Sequence, residues 1–158
     1  MIETPQDNTP ERNWISFYRV HRLEVQYLKA RHYLDSSDRE AMQHILDHLD
    51  RWLIEPSHPS LLHGHLWNGN YLIGKNGCAW LIDPAVYVGH AEADLAMTEL
   101  FGGFSPIFYD AYQESAPLEA GYADRRDLYH LYHLLNHLNL FGLVYMPSVR
   151  SILRRYGW

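Results

Sequence analysis

The sequence predicts a mainly α-helical fold with one small β-hairpin. Most of the chain places its apolar residues three or four positions apart, which is the spacing of one helix face. One short region differs, because two β-type runs flank the dipeptide Asn76-Gly77, a strong turn signal for a hairpin. The 158 residues are 47% hydrophobic and 20% charged, which is typical of a single globular domain and excludes a disordered chain.

Helical spacing begins after a polar lead-in that ends near Asn13. Apolar residues across positions 14–28 share one broad face and predict the first helix. Ser37 and Glu40 fit a capping box, in which each side chain accepts a hydrogen bond from the backbone N–H of the other residue. This box predicts the start of a second helix, which continues to Leu53.

The hairpin and four later helices complete the predicted order of elements. The two strands are residues 71–74 and 78–82, and Lys75-Asn76-Gly77 forms the turn between them. Helical spacing returns after the hairpin in four segments: residues 94–101, 107–112, 126–140 and 149–156.

The charge and the cysteine content limit the partners and the compartment. A net charge of −6 and a pI near 6.0, with no basic stripe, argue against a nucleic-acid partner. A single cysteine, Cys78, excludes an internal disulfide and is typical of a reducing compartment, so we expect a cytoplasmic protein. No stretch supplies the ~20 apolar residues of a membrane span, so no membrane partner is expected.

The stretch HGHLWNGN, residues 63–70, carries the strongest functional signal. Asn70 ends this stretch, the hairpin follows, and Asp83 comes directly after the second strand. An amide oxygen and a carboxylate at the two ends of one hairpin can share a hard cation, and such a cation offsets the charge of a nucleotide triphosphate. The spacing therefore indicates a site for a cation and a phosphorylated ligand.

Several motifs together resemble the fructosamine-3-kinase, or ketosamine kinase, family. The stretch is similar to the family motif HGDLW-x-GN, with His65 in place of the aspartate, and Asp83-Pro84-Ala85 matches the family motif DPA. The resemblance covers nearly the whole chain. Its further segments are a first helix at residues 14–26, a G-H-x-E-x-x-L-A stretch at 89–96, FGGF at 101–104 and a late helix at 135–142.

This resemblance implies the C-terminal, large lobe of a protein-kinase-like fold. Complete relatives use ATP and Mg²⁺ to phosphorylate the sugar 3-hydroxyl of ketosamines on protein amines, so glycated amines or proteins are the expected substrates. The family also has an N-terminal ATP-binding lobe with a glycine-rich loop, and no such loop precedes His63. We therefore expect residues 1–158 to form a single domain from which the ATP-binding lobe is absent, without phosphotransfer activity on its own.

The resemblance also implies roles for residues that would touch the reactants. His65 stands at the position of the catalytic base, and Asn70 and Asp83 match the residues that bind the metal. Trp67 matches a residue that faces the sugar substrate.

Four further residues have roles implied by the kinase fold. Leu72 and Ile82 form the floor of the adenine site, Asp94 braces the catalytic loop, and His63 packs and hydrogen-bonds to backbone. With no small lobe above the hairpin, its apolar face is expected to be exposed. A separate small-lobe chain or a second copy of the chain would cover it.

The sequence leaves three interpretations of His65 open. Histidine is a competent general base near neutral pH. However, a protonated ring repels magnesium and a neutral ring is larger than a carboxylate, so we expect lost turnover and a pseudokinase-like binding module. The third interpretation is a transition-metal site made by His63, His65 and Asp83, because imidazole is a good ligand for zinc and copper.

Overall fold

The computed structural model describes residues 5–158 and confirms a mainly α-helical fold with a small β-hairpin. The helices are α1 (Trp14–Tyr18), α2 (Val25–Ala30), α3 (Ser36–Asp47), α4 (Glu92–Leu100), α5 (Pro106–Ser115), α6 (Tyr122–Phe141) and α7 (Met146–Tyr156). The strands are β1 (Ser60–Leu62), β2 (Tyr71–Ile73), β3 (Ala79–Leu81) and β4 (Tyr87–Gly89). Among the described residues, no helix combines the length and the hydropathy needed to cross a membrane.

The described residues divide into two compact units. One unit comprises residues 5–55 and 130–158, and the other comprises Pro56–Tyr129. Every candidate site residue lies in the second unit. It stays a prediction that residues 1–158 act as a single kinase-like domain without an ATP-binding lobe.

The first predicted helix is confirmed between Trp14 and Ala30, with a change of winding in its middle. The Asn13 side chain accepts a hydrogen bond from Ser16 N–H at 2.8 Å and caps the start. A π-helical turn over Arg19–Glu24 connects α1 to α2. This turn contains Arg22, which is fully buried and donates a hydrogen bond to the Asp7 carbonyl at 2.8 Å. This hydrogen bond therefore holds the polar lead-in against the helix that follows it.

The predicted capping box at Ser37 and Glu40 is wrong, because the helix begins two residues earlier. Asp35 is the N-cap, and its carboxylate accepts a hydrogen bond from Asp38 N–H at 2.9 Å. The Asp38 carboxylate in turn accepts from Asp35 N–H at 3.3 Å. Arg150, in α7, pairs with both carboxylates at 2.9 and 3.0 Å. This long-range ion pair favours the aspartate box over the serine one.

Two separate antiparallel strand pairs flank the site. The predicted hairpin pairs β2 with β3, with Leu72 opposite Trp80, and Gly77 adopts a positive φ of 77° in its turn. The second pair, β1 with β4, is not predicted by the sequence. Its strands have three residues each and lie far apart in the chain, so neither produces a recognisable alternation.

The later helices are confirmed, and each begins one to four residues earlier than predicted. For α4 and α6 the earlier start involves one buried ion pair. Glu92 starts α4 and Arg125 lies in the first turn of α6. The Arg125 guanidinium donates two hydrogen bonds to the Glu92 carboxylate, at 2.6 and 2.9 Å, and both residues are buried. It also donates to the carbonyls of Glu119 and Ala120 at 3.2 and 2.8 Å. This buried pair links the starts of α4 and α6.

We expect Arg125→Ala to lower the free energy of unfolding by about 3–5 kcal/mol, because it leaves the Glu92 carboxylate buried without a partner. Arg126→Ala is the matched control, since Arg126 pairs with Glu99 at 2.8 Å in a more exposed position. Its cost should be about 0–1 kcal/mol. Urea unfolding of the two variants measures both values, and equal losses of stability would contradict the special importance of the buried pair.

Candidate active site

Residues 63–70, called here the histidine loop, are held against the segment that follows the hairpin. The loop leaves β1, and the segment enters β4, so the pairing of these strands brings the two together. The Ala85 N–H donates to the His63 carbonyl at 2.8 Å, and the Ile82 N–H donates to the Asn70 carbonyl at 3.0 Å. Backbone hydrogen bonds therefore fix both ends of the loop.

Gly64 allows the closest approach between these two segments. Its φ is +77°, a value that side chains other than glycine rarely adopt. A Cβ atom at this position would lie 2.0 Å from the Ala85 carbonyl oxygen. The loop can therefore have this path only with glycine at position 64.

Asp94 holds the same part of the loop from the other side. Its two carboxylate oxygens accept hydrogen bonds from His63 N–H at 2.6 Å and from Gly64 N–H at 2.8 Å. Burial raises the pKa of the Asp94 carboxyl above its usual value, and these two hydrogen bonds oppose the rise. These two hydrogen bonds connect α4 to the backbone of the histidine loop.

Asn70 and Asp83 each lie close to the His65 ring at the open side of the loop. The Asn70 side-chain amide donates to the His65 carbonyl at 2.8 Å and lies 3.0 Å from His65 Nδ1. The Asp83 carboxylate lies 3.4 Å from the same ring nitrogen. Asp83 has a φ of +54°, the one positive value at a non-glycine residue among the described residues. Such strained backbone tends to occur at functional sites.

The hydrogen bond from Asn70 determines which nitrogen of a neutral His65 carries the proton. An amide NH₂ group only donates, so the Nδ1 atom that it contacts must offer its lone pair. The proton of the neutral ring then lies on Nε2. A charged ring could donate from Nδ1 to Asp83, but only by losing the hydrogen bond from Asn70.

The structure argues against the transition-metal site proposed for His63, His65 and Asp83. His63 Nε2 donates to the Ile82 carbonyl at 3.1 Å, and His63 Nδ1 accepts from His65 N–H at 3.3 Å. Both ring nitrogens of His63 are therefore used within the protein. Within residues 5–158, no three histidine, cysteine, aspartate or glutamate side chains are grouped so as to hold a metal ion.

Trp67 packs against Phe101 and beside Gly69, and the sequence did not predict these contacts. Its ring meets the ring of Phe101 edge to face, with centroids 6.4 Å apart. A Cβ atom at Gly69 would lie 2.4 Å from the Trp67 ring, so the glycine leaves room for the indole. The indole Nε1–H is buried and has no acceptor among the described residues. Phe101 belongs to the FGGF stretch, which was the available signal for this contact.

The hairpin presents an exposed apolar face beside the loop. Leu72 is 57% exposed and Ile82 is 37% exposed, although both are large hydrophobic residues. Trp80, which pairs with Leu72 and lies on the same face, is 62% exposed as well. Exposed apolar side chains that share one face of a folded chain often mark a binding surface.

Comparison with known proteins places this geometry in a family. The sequence profile of the fructosamine kinase family matches residues 1–156. A protein of Lactiplantibacillus plantarum assigned as a ketoamine kinase is 47% identical over 158 residues, covering 96% of this chain and 55% of the relative. A chloroplastic protein-ribulosamine 3-kinase of Arabidopsis thaliana is 45% identical, covering 97% of this chain and 47% of the relative.

Solved structures share the fold. A crystal structure of a protein from Thermobifida fusca assigned as a fructosamine-3-kinase matches with a TM-score of 0.85 and 40% identity, covering 96% of this chain and 53% of that chain. A second structure with the same assignment, from Haemophilus somnus, gives a TM-score of 0.81 and 28% identity, covering 96% of this chain and 52% of that chain. The chain spans about half the length of the curated relatives that it matches. With its motifs, its fold and nearly its whole length matched, the chain belongs to the fructosamine kinase family.

Proposed function

We propose that this chain is the lobe of a fructosamine-kinase-type phosphotransferase that binds the ketosamine and the metal–nucleotide complex. The family reaction transfers the γ-phosphate of ATP to the 3-hydroxyl of a sugar attached to a protein amine. The observation that carries the proposal is the convergence of His65, Asn70 and Asp83, with separations of 3.0 and 3.4 Å, at the mouth of the loop. Glycated amines or proteins are the proposed substrates.

Asn70 and Asp83 fit a magnesium ion by the chemistry of their donor atoms. The Asn70 NH₂ group is used in the two contacts with His65, which leaves its carbonyl oxygen as a ligand. The Asp83 side chain is 61% exposed and adds a carboxylate. Magnesium prefers such oxygen ligands and, when bound with ATP, neutralises charge on the triphosphate. Leu72 and Ile82 would contact the adenine.

Trp67 is the proposed platform for the sugar. Its indole N–H is buried, but the residue as a whole is partly exposed, so the ring rather than the N–H would contact the sugar. The apolar ring face suits the C–H side of a sugar ring. Asp94 and His63 would act by positioning the loop, since both are bonded to backbone groups within or beside it.

His65 is the feature that separates this chain from an active kinase. A general base needs a free lone pair directed at the substrate hydroxyl. In the neutral ring, the Nδ1 lone pair accepts from Asn70 and Nε2 carries the proton, so neither nitrogen offers one. This arrangement favours a second candidate function, a pseudokinase-like module that binds substrate without phosphorylating it.

A cytoplasmic location remains part of the proposal, based on the single cysteine.

The first prediction concerns the His65 ring in solution. Near pH 8, ¹⁵N chemical shifts measured by long-range ¹H–¹⁵N spectra should identify His65 as the Nε2–H tautomer, because Nδ1 accepts from Asn70. His32 is an internal contrast, since its Nδ1 faces the Lys29 carbonyl at 2.9 Å and must be protonated. Asn70→Ala should shift His65 towards a mixture of tautomers. An Nδ1–H tautomer at His65 would leave Nε2 free to act as a base.

The second prediction tests phosphotransfer directly. We expect no turnover of ATP with a fructosyl-amine from this chain alone, and none from His65→Asp alone. When the chain is joined to a family ATP-binding lobe, His65→Asp should raise the turnover by about 10²-fold or more, because it restores a carboxylate base.

The control for this change is His32→Asp, which makes the same substitution at an exposed position in the other unit. Equal rates of the joined protein with and without the His65→Asp substitution, both near the usual ~1–10³ s⁻¹, would mean that histidine works as the base.

The third prediction concerns the exposed hairpin face. We propose that it is covered by a small-lobe chain or by a second copy of this chain, and for the purified chain we expect self-association. Leu72→Glu should weaken it, because the charge would enter an apolar interface. Light scattering after size exclusion measures the mass. Leu28→Glu is the control, as Leu28 is also exposed, at 63%, but lies on α2. A monomer at high concentration, unchanged by Leu72→Glu, would exclude the dimer.

A further inference from the structure

A cavity of about 350 Å³ lies between α4, α5 and the first turn of α6. Three tyrosines, Tyr109, Tyr112 and Tyr122, form much of its wall, and Leu95 and Leu118 add apolar surface. No residue of α5 is buried, so this helix does not close the space against α4. The volume is within the range of sites that hold a small ligand or a single side chain.

The polar groups of this cavity, called here the tyrosine cavity, are mostly hydrogen-bond acceptors. The Glu99 carboxylate accepts from the Tyr122 hydroxyl at 2.5 Å and from Arg126 at 2.8 Å. Asp110 forms no hydrogen bond or ion pair with the described residues, although it lines the cavity. The Tyr112 hydroxyl likewise has no hydrogen-bond partner in the described part of the chain. Two polar groups are therefore available to a ligand.

The cavity has one carboxylate without a cationic partner. Glu99 and Asp110 both line it, but Glu99 is paired with Arg126, and no lysine or arginine is part of the lining itself. Burial raises the pKa of Tyr112, and the negative charges of Asp94 and Glu92 raise it further. Burial and the hydrogen bond to Glu99 also raise the pKa of Tyr122, so that its hydroxyl stays neutral and remains a donor.

We propose that the tyrosine cavity binds a protonated aliphatic amine, the chemistry of a lysine side chain. Aromatic ring faces attract an ammonium group, and a carboxylate without a partner supplies its counter-charge. Asp110 is that carboxylate, and the hydroxyl of Tyr112 can accept a hydrogen bond from the ammonium group. An anionic ligand is disfavoured, because it would face the unpaired Asp110 carboxylate, and no lysine or arginine is part of the lining.

The meaning of this site for a protein substrate rests on the proposed function. Asp94, which contacts the histidine loop, and Glu99, which lines the cavity, lie on the same helix. They are five residues apart, which is about 7–8 Å along the helix axis. Two residues of extended peptide span about the same distance. Helix α4 therefore joins the loop to the cavity, and in our proposal a lysine that flanks the modified amine enters the cavity while the sugar lies at the loop.

The test is an NMR titration of the chain with the peptide acetyl-Gly-Lys-Gly-amide, in the absence of nucleotide and sugar. We expect saturable shifts confined to α4, α5 and the start of α6. Asp110→Asn should weaken the affinity by about tenfold, because it removes the counter-charge. Glu114→Gln is the matched control, since it removes the same charge from the same helix outside the cavity. It should leave the affinity unchanged.

Two ligand controls complete the experiment. The same peptide with an acetylated lysine side chain should not bind, and equal binding of this neutral peptide would overturn the proposal. Equal weakening by Asp110→Asn and Glu114→Gln would overturn it too, because only the net charge would then matter. If butylamine binds as tightly as the peptide, the site recognises free amines and its assignment to a protein substrate is wrong. None of these outcomes depends on phosphotransfer, so this proposal and the proposed function can fail separately.

Discussion

The two hydrogen bonds that the Asp94 carboxylate accepts from the histidine loop are the contact on which the candidate site depends. They join the first turn of α4 to the backbone of His63 and Gly64 at 2.6 and 2.8 Å. Because Gly64 has no side chain, the loop also lies directly against the Ala85 carbonyl. Held on both sides, the loop presents His65 and Asn70 in one arrangement. Charge-assisted hydrogen bonds of this length are among the strong ones in proteins.

In the proposed function, the histidine at position 65 changes the chemistry of this arrangement. An aspartate would offer lone pairs to a substrate hydroxyl and add negative charge beside the cation. The imidazole instead accepts a hydrogen bond from Asn70 at Nδ1. The proton of the neutral ring is then on Nε2, which makes that nitrogen a donor. The same Asn70 amide orients the ring, and its oxygen is the proposed ligand of the cation. In this proposal binding and catalysis depend on different atoms of one cluster, so we expect binding to persist without turnover.

The unit formed by Pro56–Tyr129 carries two features that suit cations of different kinds. Asn70 and Asp83 offer compact oxygen ligands, which suit a small hard metal ion. The tyrosine cavity offers ring faces and a single available carboxylate, which suit an ammonium group. Helix α4 connects these features, and the buried Glu92–Arg125 pair fixes its start.

The sequence by itself determined the helices, the hairpin and the family, because these depend on local spacing and on motifs a few residues long. It also placed Asn70 and Asp83 at the two ends of the hairpin. Only the tertiary structure decided the pairing of β1 with β4, the choice of Asp35 as a helix cap, the tautomer of His65 and the existence of the tyrosine cavity. Each of these features depends on contacts between side chains or strands that are distant in the sequence. The free energies of such contacts depend on distances and burial, which no local sequence pattern specifies.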